Sequence, residues 1–267
     1  MKILPQGTYY GSMHAEKCMN GILFSEYDYL TEKTDWHFHE NPYFMYLLQG
    51  NLYDVNKKHK TNCPSGSFLL HNWQEPHYNS KESKNARGFH IEFERSWFQK
   101  NEIDINLWEG SQLIKNPKLH HVLAKLYAEF KYADPYTEIS CELLVSELCD
   151  NIGDEKIYLY ENNPPWLKSL IEIIHQNKSP FNLKSLSDEL GIHPGHLSRS
   201  IPKYFSTTLG DYIRQVKIKK AIDLMLSSKK PLYDITYKCG FSDQSHFART
   251  FKAYMGITPK EFQNKCR

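Results

Sequence analysis

The stretch Pro231-Leu-Tyr-Asp-Ile-Thr-Tyr-Lys-Cys-Gly-Phe-Ser-Asp-Gln-Ser-His-Phe-Ala-Arg-Thr-Phe-Lys-Ala-Tyr-Met-Gly-Ile-Thr-Pro259 decides the fold, because its pattern already occurs fifty residues earlier. Leu197-Ser198-Arg199-Ser200-Ile201 lines up with Phe247-Ala248-Arg249-Thr250-Phe251. At the same offset Thr208 meets Thr258, Asp211 meets Glu261 and Tyr212 meets Phe262. A match that persists over a whole supersecondary unit marks an internal repeat. Upstream of each block a helical apolar run ends at a glycine: Leu183, Leu186, Leu190, Gly191, and then Leu232, Ile235, Cys239, Gly240. Helix, glycine turn and second helix make a helix-turn-helix.

The residues set the details of each copy. Gly191 supplies the left-handed close of the first helix, and Pro194 opens the second at a position where its missing donor costs nothing. Leu197 and Ile201 then face inward, which leaves Gly195, His196, Ser198, Arg199 and Lys203 on the surface. In the second copy Ser242 is the expected N-cap. Phe247, Phe251 and Tyr254 point inward, and Asp243, Gln244, Ser245, His246, Ala248, Arg249 and Lys252 point outward. Thr208-x-x-Asp211 reads as a capping start for a long connecting helix through Leu209, Tyr212, Ile213, Val216, Ile222 and Met225. Two helices held on one face would enter successive major-groove turns about 34 Å apart. Two departures mark the first copy. Pro202 predicts a helix that kinks after Ile201 or ends there, and Ser206 stands where the second copy has Gly256.

Charge agrees with nucleic acid as partner. Residues 164–267 hold 17 Lys and Arg against 8 Asp and Glu, a net of +9; the remainder holds 16 against 23, a net of −7. Phosphate contacts from lysine and arginine supply most nucleic-acid affinity, so the basic part suits DNA. Arg199 and Arg249, equivalent in the two copies, fit a base reader, a phosphate clamp or an internal ion pair. Gln244 and Ser245, at the start of the second recognition helix, are better placed for base edges, glutamine matching adenine. Gly195 offers no side chain, so the first motif is expected to read sequence less.

The segment from Pro231 to Pro259 resembles the signature of the AraC/XylS family of bacterial transcription regulators, and with the upstream unit the resemblance spans about a hundred residues. It implies binding to double-stranded promoter DNA through both recognition helices, with RNA polymerase as protein partner; activator is the expected role, though activation or repression depends on where the site lies relative to polymerase, which no residue here encodes.

The first part of the chain reads differently. Gly21-Ile-Leu-Phe, Pro42-Tyr-Phe-Met-Tyr-Leu-Leu48, Ser67-Phe-Leu-Leu70 and Gly88-Phe-His-Ile-Glu-Phe93 are short aromatic strands between turn residues, the pattern of a small β-barrel or jelly roll. His37-Phe38-His39, Gly50, Pro64-Ser65-Gly66 and His77 resemble the cupin pattern, and many AraC-type regulators carry such a domain ahead of their DNA-binding half. In metal-binding cupins the histidine pair, a glutamate and a later histidine hold one cation. Here His37, His39 and His77 are present and Tyr43 stands at the glutamate position. They would hold a divalent metal such as zinc or iron, or hydrogen-bond a polar effector; no cofactor is otherwise expected. Trp36, Tyr43, Tyr46 and Trp73 join the three histidines as candidate effector contacts.

From about Ser96 to Asp150 the spacing turns helical, with stripes Leu119, Val122, Leu123, Leu126, Phe130 and Ile139, Leu143, Leu144, Leu148. Two helices around Asp134-Pro135 would cover the barrel, and the resemblance implies a dimer interface there. Asn162-Asn163-Pro164-Pro165 reads as a linker. The expectation is therefore an α+β two-domain chain: a cupin-like effector-binding β-barrel (jelly roll) at 1–98, a helical hairpin for dimerisation at 99–153, a linker at 154–165, and an all-α DNA-binding domain with two helix-turn-helix motifs joined by a long helix at 166–267. Six cysteines without CxxC spacing argue against zinc fingers and disulfides. No basic leader and no run of roughly 20 apolar residues occurs, so a cytoplasmic protein without membrane contact is expected; the resemblance adds that it is a homodimer. Two other functions fit parts of the sequence: a metal-dependent cupin enzyme using His37, His39 and His77, and a constitutive DNA-binding dimer whose barrel takes no effector.

Overall fold

The computed structural model describes residues 1–72, 74–104, 110–152, 163–176 and 181–266. Trp73 and the 154–162 part of the expected linker lie outside them. The chain forms two compact units, Met1–Ile114 with Leu126–Leu144, and Lys115–Lys125 with Val145–Arg267.

In the first unit eleven strands are described: β1 Lys2–Leu4, β2 Gly11–Met19, β3 Ile22–Tyr29, β4 His37–His39, β5 Tyr43–Gln49, β6 Asn51–Asn56, β7 Lys60–Pro64, β8 Phe68–His71, β9 His77–Lys81, β10 Arg87–Phe93 and β11 Gln112–Ile114. They build a five-stranded sheet in the order β1-β4-β9-β6-β7 and a six-stranded sheet in the order β11-β8-β5-β10-β3-β2. Strand alternation gives each strand two faces. Tyr43, Met45, Leu47 and Leu69 of the larger sheet pack against Leu52 and Cys63 of the smaller, so the two sheets share an interior. On the outer face of the larger sheet Phe24 packs with Phe89, and Phe44 with Phe68 and Phe93. There Tyr127 and Phe130 lie 5.1 Å from Phe89.

The helical run expected from residue 96 is interrupted by β11. It resolves into α1 Arg95–Lys100, α2 Pro117–Lys131 and α3 Thr137–Asn151. Helix α2 buries Leu119, Val122, Leu123, Leu126 and Phe130, as its spacing predicts. In α3 Leu148 is buried as expected, but with Cys141 and Val145 as its apolar companions, while Ile139 and Leu143 are 57% and 68% exposed. Cys141, Val145 and Leu148 follow i, i+4, i+7, and Ile139 and Leu143 lie about half a turn away from that stripe.

The second unit contains α4 Pro165–Gln176, α5 Leu183–Leu190, α6 Pro194–Phe205, α7 Leu209–Ser227, α8 Leu232–Lys238, α9 Gln244–Met255 and α10 Pro259–Lys265. Leu170, Ile174, Leu186, Leu197, Ile201, Tyr212 and Val216 form one buried cluster, so the first helix-turn-helix, α5 and α6, is held against α4 and α7. Gly191 closes α5 at φ 66°, as the sequence requires. Helix α6 does not end after Ile201: it continues through Pro202 to Phe205 and closes at Ser206 with φ 52°. The core contacts of Leu197 and Ile201 hold the helix, and the bond that proline deletes belongs to the carbonyl of exposed Ser198. Gly256 closes α9 in the same left-handed region at φ 79°, without the strain a side chain adds.

The expected cap of α9 is corrected by one residue. Asp243, not Ser242, accepts the His246 backbone N–H at 2.7 Å, and the Ser242 hydroxyl donates to Asp243. An extended residue three before that N–H is the one whose carboxylate reaches it.

Thr208 caps α7 as expected, but Asp211 does not return the bond. Its carboxylate accepts from Thr207, Arg214, Gln215 and the Tyr254 hydroxyl at 2.8, 3.2, 2.8 and 2.5 Å. Tyr254 is on α9, so this carboxylate ties the connecting helix to the second recognition helix. Burial opposes its charge, yet the bonds from Tyr254, Thr207, Gln215 and Arg214 hold its carboxyl below the usual carboxylate range. Replacing Asp211 with alanine leaves a half-buried tyrosine hydroxyl and an amide without their acceptor. The expected cost is about 1–3 kcal/mol, read as a lowered thermal midpoint of the full chain; Asp211→Asn should recover part of it.

Candidate functional site

Two features of the fold carry chemistry: the outer faces of α6 and α9, and the interior between the sheets. On α6, His196, Ser198, Arg199 and Lys203 are exposed and Gly195 is half-buried. On α9 and its cap, Asp243, Gln244, Ser245, His246, Arg249 and Lys252 are exposed. Among the described residues neither Arg199 nor Arg249 belongs to an ion pair. Of the three uses open to them in sequence, an internal ion pair is therefore not the one observed. Arg249, His246 and Arg214 line one open groove beside Tyr254. Asp243 is committed to its cap and offers less to a base edge than its exposure implies.

Between the sheets the ladders bring distant histidines together. His37 pairs with His77 across β4 and β9, Tyr43 with His71 across β5 and β8, and Asp54 with Asn79 across β6 and β9. His37 and His39 lie on one face, as alternation predicts, and both are buried. Ring centroids are 4.4 Å apart for His37 and His77, 4.5 Å for His71 and His77, and 4.7 Å for Tyr43 and His71. A cavity of about 30 Å³ is lined in part by Tyr9, His37, His39, Tyr43, His71 and His90.

Of the sequence-predicted contacts, His37, His39, Tyr43 and His77 come together. Tyr46 does not: it is buried, and alternation places it on the outer face with Phe44. Trp36 is 41% exposed, its ring edge-on to Tyr78 at 5.1 Å.

The structure adds residues that sequence reasoning passed over. Tyr9 stacks on His90 at 3.7 Å. Glu92, 1% exposed, accepts from Gly7 N–H at 2.9 Å, the Tyr9 hydroxyl at 3.2 Å and the Asn41 amide at 3.1 Å. Burial raises its carboxyl pKa against the lowering effect of those bonds. Asp54 accepts from Asn79 at 2.9 Å and lies 3.5 Å from His71 Nε2; burial raises its pKa too. The signal for His90 and Glu92 was available, since in Gly88-Phe-His-Ile-Glu-Phe93 the apolar residues alternate with these two.

Comparison with known proteins places this architecture in a class. A helix-turn-helix domain matches residues 186–265, and an AraC-like ligand binding domain matches residues 20–149. The transcriptional activator RhaR of Escherichia coli K12 is 26% identical over 149 residues, 54% of this chain and 52% of RhaR. This chain thus matches about half the length of that relative. The multiple antibiotic resistance protein MarA of Salmonella typhimurium is 30% identical over 98 residues, 36% of this chain and 77% of MarA. Among solved structures, ToxT of Vibrio cholerae is 16% identical, covering 92% of this chain and 98% of its own, with a TM-score of 0.36. Fold and matched domains define a two-domain chain, an AraC-like ligand binding domain followed by a helix-turn-helix domain. The chain belongs to the AraC family of bacterial transcription regulators.

The buried histidines are neutral at physiological pH. Burial, with His71 nearby, pushes His90 down to about 3, and its Nε2 lies 2.8 Å from the Tyr29 hydroxyl. Unfolded histidine titrates near 6.5, so between those values the unfolded chain binds the extra proton and stability falls as pH falls. The expected result is an imidazole NMR signal for His90 that stays neutral from pH 8 to about 5. His90→Gln should flatten the decline of the thermal midpoint below about pH 6.5.

Proposed function

We propose that this protein is a sequence-specific transcription regulator, not an enzyme, whose recognition helices bind double-stranded promoter DNA and whose sheet interior holds a small effector. What carries the reading is the pairing of two helix-turn-helix cores with exposed polar faces on their second helices. Gln244 and Ser245 sit at the start of α9, where a side chain entering the major groove meets base edges. Arg249, Arg214 and His246 share a groove, which suits a phosphate. Helix α7, 19 residues and about 28 Å long, would set the spacing of the two readers.

RhaR is a transcriptional activator by name; activation through contact with RNA polymerase is proposed for this chain on the same basis. Among the described residues no helix is long and apolar enough to cross a membrane, and a cytoplasmic location follows from the proposed task. Homodimerisation through the 99–153 segment is supported by the apolar residues Tyr136, Ile139 and Leu143, which α3 and its N-terminus leave exposed.

Mapping of bound genomic fragments, followed by binding of the purified chain to one of them, tests the reading. Specific DNA should bind at least tenfold more tightly than a scrambled fragment at moderate salt; equal binding would reject it. Gln244→Ala should change the preferred sequence, while Ser198→Ala should weaken binding with preference kept; the reverse pattern would refute the asymmetry between the motifs. Ile139→Asp with Leu143→Asp should convert a dimer to a monomer in sedimentation, with unchanged helix content.

A further inference from the structure

The interior between the sheets has a composition that an organic effector does not require. Five histidines, His37, His39, His71, His77 and His90, are each 1–3% exposed there, with Asp54 2% exposed. The cavity is small: about 30 Å³ is space for roughly two water molecules, whereas pockets for drug-sized ligands are about 300–1,000 Å³. That volume takes water molecules and leaves no room for a sugar or an aromatic acid; His71 lines it, and Asp54 and His77 lie outside its lining.

The donor geometry suits an ion. Two sets of side chains, His37, His39 and His77, and Asp54, His71 and His77, each present ligand atoms within 4.8 Å of one another. A tetrahedral ion holding nitrogen and oxygen at about 2.1 Å separates them by roughly 3.4 Å, and Asp54 Oδ2 lies 3.5 Å from His71 Nε2. The outer nitrogens are already engaged. His77 Nδ1 lies 3.0 Å from the Glu75 carbonyl, His37 Nδ1 2.8 Å from the Asp35 carbonyl, and His71 Nδ1 3.1 Å from the Ser111 hydroxyl. Such bonds orient metal-binding imidazoles and leave Nε2 facing inward; that of His77 lies 3.4 Å from the Tyr43 hydroxyl, a contact that an ion would replace. His39, whose Nδ1 is buried without a hydrogen-bond partner, belongs to the first set only.

The cupin ligand set does not fit as it stands, because its carboxylate is replaced by Tyr43. Three neutral imidazoles would leave a doubly charged ion uncompensated in a buried space, which is costly. Asp54 supplies the missing negative charge from β6. Glu92 does not: it belongs to neither set of close ligand atoms, and its oxygens accept from Gly7, Tyr9 and Asn41. His77 belongs to both sets, so one ion is held at a time.

From this arrangement we infer that the effector of the sheet unit is a divalent transition-metal ion of the zinc class, bound by Asp54, His71 and His77 with its fourth position open. The inference rests on the regulator reading and names its ligand. The two are tested separately: metal binding is measured on the protein alone, and DNA binding on the promoter fragment.

The experiment titrates chelator-treated full-length protein with Zn²⁺ against a chromophoric zinc indicator, and records the thermal midpoint with and without Zn²⁺. One Zn²⁺ per chain and a raised midpoint are expected, since a ligand that binds only the folded state stabilises it. Asp54→Asn, close in shape and uncharged, and His71→Gln should each weaken Zn²⁺ binding at least tenfold; His39→Gln should leave it within about threefold. Absence of stoichiometric binding by the unmutated chain overturns the inference and needs no variant. Loss of binding on His39→Gln with retention on Asp54→Asn also overturns it, by moving the ion to the other set. Failure of specific DNA binding, with one Zn²⁺ still bound, would reject the regulator reading alone.

Discussion

Polar groups buried between two sheets must find partners inside the protein, and this constraint shapes the N-terminal unit. The outer face of the larger sheet is mostly aromatic, covered by Tyr127 and Phe130, and its buried carboxylate Glu26 is met from the edge by Lys131 and Arg87. The inner face holds Tyr43, His71, His90 and Glu92 opposite His37, His39, Asp54 and His77. Much of this set is satisfied locally: His37 and His77 each reach the carbonyl two residues back, and Glu92 collects three donors from outside its own strand. Leaving a buried polar group unpaired costs about 1–3 kcal/mol. His39 Nδ1 and His90 Nδ1 are buried there without a hydrogen-bond partner.

The helical unit obeys a different constraint. Each helix-turn-helix has a small apolar core, so the recognition helices depend on what pins their far ends. For α6 this is the cluster of Leu197 and Ile201 with Tyr212 and Val216 of α7. For α9 it is Phe247, Phe251 and Met255 in the core, joined by the Tyr254–Asp211 bond. Both recognition helices thus lean on α7, which makes that helix the ruler of the unit. The copies are nonetheless unequal. Helix α6 carries a proline in its last turn and closes on a strained serine, whereas α9 closes on glycine and starts at a charged cap.

Much of the helical unit is legible in sequence because helix signals are local. The 3.6-residue spacing, Gly191, Pro194 and Thr208 each report on neighbours within four residues, and each is found where it was placed. The errors are of the same short range: the cap falls on Asp243 beside Ser242, and α3 buries the Cys141 stripe because two apolar stripes share that helix. Pro202 misleads for another reason, since core contacts made elsewhere outweigh its local cost. The polar interior is harder to read. His37 and His39 announce themselves by spacing, but His71, Asp54 and His90 become their neighbours only through strand pairing. Asp54 sits in Asn51-Leu-Tyr-Asp-Val-Asn56, where an inward carboxylate breaks the apolar alternation that would otherwise identify the face.

The segment Gly7–Tyr9 shows why ligand size matters to this fold. Tyr9 stacks on His90 and, with Gly7, supplies two of the three donors to the Glu92 carboxylate. A bulky ligand in the space beside His90 would have to displace Tyr9, and a buried carboxylate would lose part of its hydrogen bonding as it did so. Displacement would therefore be coupled to protonation of Glu92, whose pKa burial already raises. An ion at Asp54, His71 and His77 makes no such demand, because its ligands come from β6, β8 and β9 and leave the Gly7–Tyr9 cover in place. The two ligand classes thus ask opposite things of one short segment, and the bonds that hold it favour the smaller.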